Sequence, residues 1–142
     1  MEFRSKTQRN VYWVATVLTA LLFAVPGIGD VLGFPHFVTE ASRLGYPDYF
    51  LPFLGAWKIL GAIAIVLPRT ARLKEWAYAG MTIDISGALA SHIALGDPLP
   101  TIVVPCVIAA LVFASWALRP QQRRLLSPQV QIHTSAARSD LA

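Results

Sequence analysis

Four apolar stretches, each long enough to cross a lipid bilayer, dominate this chain: Val11–Gly29, Tyr49–Leu67, Glu75–Leu95 and Leu99–Leu118. Each has 19 to 21 residues. As helices rising about 1.5 Å per residue, they match the roughly 30 Å of a bilayer's hydrocarbon core. The connections are short, so the four helices use up the chain as one domain. Composition agrees: 55% of residues are hydrophobic, only 14% are charged, and the mean hydropathy is +0.52. A soluble domain carries about 25% charge. The expected fold class is all-α: an integral membrane antiparallel four-helix bundle over residues 1–118. Residues 119–142, rich in Gln, Arg, Ser and Thr, are expected to form a disordered cytoplasmic tail.

Charge placement orients this bundle. Ten basic residues flank one end: Arg4, Lys6, Arg9, Arg69, Arg72, Lys74, Arg119, Arg123, Arg124 and Arg138. The other connections carry Arg43 alone, with Asp30, Glu40, Asp48 and Asp97. Positive-inside asymmetry predicts a multi-pass protein of a bacterial-type cytoplasmic (inner) membrane with both termini cytoplasmic. The net charge of +4 is accounted for by this topology and is no sign of nucleic-acid binding. The first stretch is too long for a signal-peptide core, and Leu22-Phe23-Ala24 lacks a small residue at the −3 position, so it reads as a retained helix. Cys106 is the sole cysteine and reads as a packing residue, which argues against dithiol chemistry by this chain alone.

Along the chain, Pro26-Gly27-Ile28-Gly29 reads as the end of the first helix. In the long outer connection, Phe37, Ala41 and Leu44 share one face, which predicts a short amphipathic helix there. Pro68 stops the second stretch, and the tight inner turn makes the second and third an antiparallel hairpin. Pro105 is expected to kink the fourth.

Lys58 and Asp84 fall near the middle of the second and third stretches. A charge at the centre of a bilayer costs roughly 2.5–3.5 kcal/mol on insertion scales, so such groups are paired or used. Ala77, Gly80, Asp84, Gly87, Ala88 and Ser91 form one helical stripe, small except for the aspartate. Gly55, Lys58, Gly61 and Ala62 make a matching face. Small stripes let membrane helices approach closely. The expectation is therefore a Lys58–Asp84 salt bridge, with Ser91, His92 and Asp97 continuing a polar track outward. Candidate catalytic residues are Asp84, Lys58 and His92. Candidate ligand-binding residues add Ser91 and the inner cluster Glu75, Trp76 and Tyr78. The competing readings are a pair that only sets helix register, interfacial roles for Trp76 and Tyr78, and turn or cap roles for Asp30 and Asp97. His36, His92 and His133 are widely separated, and no metal site is expected.

These residues, in this order, resemble the DoxX-like family of small four-helix membrane proteins. The resemblance runs from about Val11 to Leu118. It is densest in Leu44-Gly45-Tyr46-Pro47, Lys58-Ile59-Leu60-Gly61-Ala62 and Leu73-Lys74-Glu75-Trp76-Ala77-Tyr78-Ala79-Gly80, continuing through Asp84, Ser91-His92 and Gly96-Asp97. The family often has Ser-Gly and then a lysine at the end of the first helix. This chain has Pro26-Gly27 and then Asp30, so no role of that lysine carries over.

The family is named after a subunit associated with thiosulfate:quinone oxidoreduction. The resemblance thus implies a protein that binds a small lipophilic or quinone-like molecule beside membrane redox metabolism. Quinone would be its cofactor candidate, with no intrinsic cofactor. A membrane or peripheral redox protein would be a partner, alongside the bilayer and a second copy of the chain. An acid/base enzyme acting on a lipophilic substrate (isomerisation, cyclisation or epoxide opening) is the alternative, with Asp84 as acid or base and Lys58 as its tuner. Transport of a small solute or protons ranks below both.

Overall fold

The computed structural model describes residues 6–119 as five α-helices, with no strand among the described residues. They are α1 (Lys6–Leu32), α2 (Pro35–Arg43), α3 (Phe50–Val66), α4 (Ala71–Ala94) and α5 (Leu99–Ala117). The expected tail beyond residue 119 lies outside the described residues. The end of the molecule that carries α2 is called outer below.

The four longer helices pack around a ring: α1 lies against α3 and α5, and α4 lies against α3 and α5. Neighbours run antiparallel. The last turns of α1 meet the start of α3, and Lys74 at the start of α4 meets the end of α3. Thr16 in early α1 meets Ser115 in late α5. Phe23, Ala62, Ile65, Tyr78, Met81 and Val112 fill the core.

α1 corrects the expected boundary. It runs through Pro26 and stops only at Leu32, where Gly33 takes a left-handed φ of +66° for the turn. The glycines after Pro26 do not break the helix, because each is used for close approach. A Cβ on Gly27 would stand 2.9 Å from the Gly55 carbonyl oxygen, and one on Gly29 would collide with the Phe37 ring. Asp30 therefore sits inside a helix, buried, rather than in a loop. The short helix expected in the first long connection is α2, which starts at Pro35 and buries Ala41.

Two basic residues read as loop and tail charges belong to the packed inner end. Lys74 is fully buried and donates to the carbonyl oxygens of Ala64 (3.2 Å) and Ile65. A cation there satisfies carbonyls that a helix C-terminus leaves free. Arg119, also buried, pairs with Glu75 at 2.7 Å and lies over the Tyr78 ring at 5.0 Å. Deeper in, Tyr78 and Ser115 hydroxyls are 2.7 Å apart, and Ser115 and Thr16 hydroxyls 2.9 Å apart. These hydroxyls join α1, α4 and α5 without leaving a buried oxygen unsatisfied.

The outward faces are apolar on every long helix. Leu21 and Val25 of α1, Leu60 and Ile63 of α3, Ile83 of α4, and Val104 and Phe113 of α5 are all exposed. Among the described residues, α1 and α5 are long and apolar enough to cross a membrane, and α3 is apolar but has 17 residues. α4 has 24 residues, yet Arg72, Lys74, Glu75 and Asp84 lower its hydropathy.

Candidate functional site

α3 shows two faces of opposite character. Its Gly55 face lies flush on α1: a Cβ there would stand 2.6 Å from both the Gly27 oxygen and the Asp30 Cβ. One helical turn further along each helix come Asp30 and Lys58. At a crossing this tight a carboxylate as short as aspartate reaches across, and Lys58 Nζ donates to Asp30 Oδ2 at 2.9 Å. Asp30 retains only 3% of its side-chain exposure and Lys58 18%. The lysine's ion-pair partner is thus Asp30, not Asp84 as the sequence suggested.

The other face of α3 looks onto a groove along α4 with a volume of about 890 Å³. Lys58, Asp84, Trp57, Trp76, Gly61 and Gly80 are among its lining residues. The small stripe of α4 does not close against another helix here. Gly80 and Gly87 are exposed, and a Cβ on either would meet nothing within 4 Å. Tyr78 and Met81 are the side chains that α4 turns into the core, and their bulk leaves Ala77, Gly80 and Asp84 on the groove wall. Trp57 and Trp76 are 60% and 80% exposed, so the groove opens sideways out of the molecule.

Within this groove, Asp84 is half-buried and has no hydrogen-bond or ion-pair partner among the described residues. Lys58 faces it with two N–H donors beyond the one given to Asp30. The arrangement is chemically specific: one carboxyl without a direct ion pair, one ammonium bonded to another carboxylate, and apolar walls with two indoles. Such a site suits a flat or elongated apolar molecule with one polar head.

The sequence candidates divide. Lys58, Asp84, Glu75 and Trp76 are brought together in the groove, with Glu75 at its inner end held by Arg119 and by Trp116 Nε1 at 3.0 Å. Tyr78 faces the core instead, bonded to Ser115. Ser91 and His92 belong to a separate outer clasp. There Asp97 accepts from Arg43 at 2.7 and 2.8 Å and pairs with His92 Nδ1 at 2.6 Å, while Arg43 also binds Glu40. Ser91 shares a hydrogen bond with Tyr46 at 3.0 Å. Hydrogen bonds from Arg43, then from His92, hold the Asp97 carboxyl well below the usual range, and the bond from Arg43 lowers Glu40 as well. The polar track expected from Asp84 through His92 is therefore replaced by two separate sites. Asp30 and Trp57 were missed. Asp30 could have been found by noting that it lies one turn beyond Gly27, as Lys58 lies one turn beyond Gly55.

A family model described as the DoxX-like family matches residues 14–115, more than two thirds of the chain. This chain belongs to the DoxX-like family. The matched segment contains Asp30, Trp57, Lys58, Trp76 and Asp84. No curated protein and no solved structure matches the chain. DoxX-like membership and the apolar helices α1 and α5 together point to a membrane protein. Among the described residues, no group of three or more His, Cys, Asp and Glu could hold a metal ion.

Proposed function

We propose that this DoxX-like protein is an integral membrane bundle that binds the polar head of a small lipophilic molecule in the α3–α4 groove. Apolar side chains exposed on all four long helices support the membrane placement, because soluble monomers rarely expose contiguous apolar patches beyond a few hundred Å². The basic residues at the inner end support cytoplasmic termini in a bacterial-type inner membrane. The observation that carries the binding reading is Asp84: a carboxyl without a protein partner, beside an ammonium, in an apolar groove open to the side.

A quinone is the headgroup we favour. Lys58 would donate to its carbonyl oxygen, and Trp57 and Trp76 would flank its ring. A bound quinone would supply two-electron redox chemistry, with electrons delivered by a membrane or peripheral redox partner. The chain's own residues bind, orient and hold a proton at Asp84. The same carboxyl favours a second reading, acid/base chemistry on a lipophilic substrate, in which Asp84 moves a proton and Lys58 stabilises developing negative charge.

Quenching of tryptophan fluorescence by a short-chain quinone in nanodiscs tests the first reading. Saturable quenching is expected in the parent protein and is lost in both Asp84→Asn and Lys58→Met. Absence of saturable quenching by either the quinone or the quinol would sink it.

A further inference from the structure

Two cavities of this protein meet at one ion pair. An outer cavity of about 230 Å³ lies between the last turn of α1, α2 and the start of α3, with Asp30, Ser42, Tyr46 and Asp48 on its wall. The groove is lined by Lys58 and Asp84 but not by Asp30, and the outer cavity by Asp30 but not by Lys58. The 2.9 Å bond between Lys58 and Asp30 joins the two. Beside that bond the backbones of α1 and α3 touch at Gly27 and Gly55, so the side-chain pair is a polar link across a closed seam.

Charge counting gives the link a purpose. Asp30, Lys58 and Asp84 together carry two carboxyls and one ammonium. With Lys58 committed to Asp30, the charge of Asp84 is left to a proton or a ligand, because an uncompensated charge at membrane depth is costly. The outer cavity has room for several waters at about 30 Å³ each, and its wall offers the polar partners that ordered water needs. The other charged groups nearby are engaged elsewhere or on the cavity wall. Glu75 is held by Arg119, Lys74 by the end of α3, Glu40 and Arg43 by the outer clasp, and Asp48 lines the cavity.

We propose that the outer cavity is the proton access of the groove, with Asp30 as the exchanging residue. Asp30 takes a proton from outer water. Lys58 passes its own ammonium proton through water in the groove that both residues line to the Asp84 carboxylate, and is reprotonated by Asp30. The net result is one proton moved from outer water to Asp84, with the Asp30–Lys58 pair restored. This inference rests on the membrane placement and on the groove as the site, and it adds the side from which the site is supplied.

Carbodiimide labelling of Asp84, read by mass spectrometry, tests it, since the reagent modifies the protonated carboxyl. Right-side-out and inverted vesicles carrying the full chain would be labelled with the pH of each compartment clamped separately. A membrane-impermeant maleimide on His36→Cys, in a Cys106→Ser background, identifies which compartment faces α2. Labelling of Asp84 should rise as the pH on the α2 side falls and ignore the pH on the other side. Asp30→Asn should lose that response. Ser42→Trp, which fills the outer cavity from an exposed position and leaves the ion pair intact, should lose it too. Labelling that follows the opposite compartment, or a parent-like response in Ser42→Trp, overturns the proposal. Protection of Asp84 by a short-chain quinone, measured in the same vesicles, reports separately on the groove as a ligand site. Protection without a pH response removes only the proton access, and a pH response without protection removes only the ligand reading.

Discussion

The α1–α3 seam and the α3–α4 groove are built from the same residue types and come out opposite. Both pair glycines with one acidic and one basic position. At the seam, Gly27 and Gly55 bring the backbones into contact, and Asp30 and Lys58 close the gap as an ion pair. In the groove, a Cβ on Gly61 would reach only the tip of Met81 at 3.4 Å, and Gly80 faces open space. A stripe of small residues thus permits close approach without enforcing it. What decides is the bulk beside the stripe. α4 turns Tyr78 and Met81 inward next to its glycines, whereas Gly27 meets the Gly55 carbonyl oxygen, the stem of Lys58 and the edge of Ile59.

The largest expected effect separates the two carboxyls. Lys58→Met leaves Asp30 charged and buried at the seam, and removing one partner of a buried pair costs about 3–5 kcal/mol. Asp84→Asn removes a group with no protein partner and should shift stability by no more than about 0.5 kcal/mol. Adding Asp30→Asn to Lys58→Met should recover most of the loss. Unfolding in mixed micelles measures all of these. An Asp84→Asn variant as unstable as Lys58→Met would show that the lysine pairs across the groove, and the contrast would collapse.

Next in size is the glycine contrast. Gly55→Ala places a methyl 2.6 Å from two atoms, one of them a backbone oxygen that cannot move alone. Overpacking of this kind costs about 1–3 kcal/mol. Gly80→Ala meets nothing and gains helix propensity, so the same unfolding experiment should find it neutral or slightly stabilised. Equal losses at the two positions would mean that the groove is closed in the membrane.

Much of this contrast was legible before any coordinates. Long apolar stretches whose only charges away from their ends are Lys58 and Asp84 predict the four long helices, and the Phe37–Ala41–Leu44 face predicts α2. Lys58, Asp84, Glu75 and Trp76 were singled out and lie together in the groove. The ion-pair partner was not legible, because Pro26 and the glycines after it look like a helix terminus. In a packed helix those glycines serve the neighbour instead, and Asp30 moves from a presumed turn to the buried seam. His92 meets Asp97 as expected but not the track to Asp84, and Tyr78 turns to the core, for a related reason. Their depth along a helix follows from residue counting, but their azimuth follows from which bulky neighbours claim the core.

A third prediction fills the groove without touching its charges. Gly80→Leu projects a side chain into space beside Asp84, so it should weaken quinone quenching about tenfold, equivalent to roughly 1.4 kcal/mol, while stability stays near that of the parent. Quenching unchanged in this variant would move the ligand out of the groove.

The smallest effect belongs to the clasp that spans both regions at the outer end. Arg43 ties α2, which lies over the seam through Phe37 and Gly29, to Asp97 in the turn between α4 and α5. Hydrogen bonds from Arg43 and then His92 depress Asp97, and the bond from Arg43 depresses Glu40. A carboxyl lowered in the folded state adds stability that is fully present above its unfolded value, about 3.9 for aspartate, and is lost as pH falls through the lowered one. The clasp should therefore hold unchanged across the neutral range and open only in acid. A nitroxide on Thr39→Cys, in the Cys106→Ser background, reads the mobility of α2 against pH. The parent should stay immobile down to the ordinary carboxylate range and loosen below it. Asp97→Asn should be slightly looser than the parent at neutral pH and show no further acid transition. The seam must not follow the clasp, because Gly27, Gly55 and the Asp30–Lys58 pair hold it without α2. If acid opening of α2 also unfolds the protein at the parent's midpoint, seam and clasp are one cooperative unit, and the tight region extends to the outer rim.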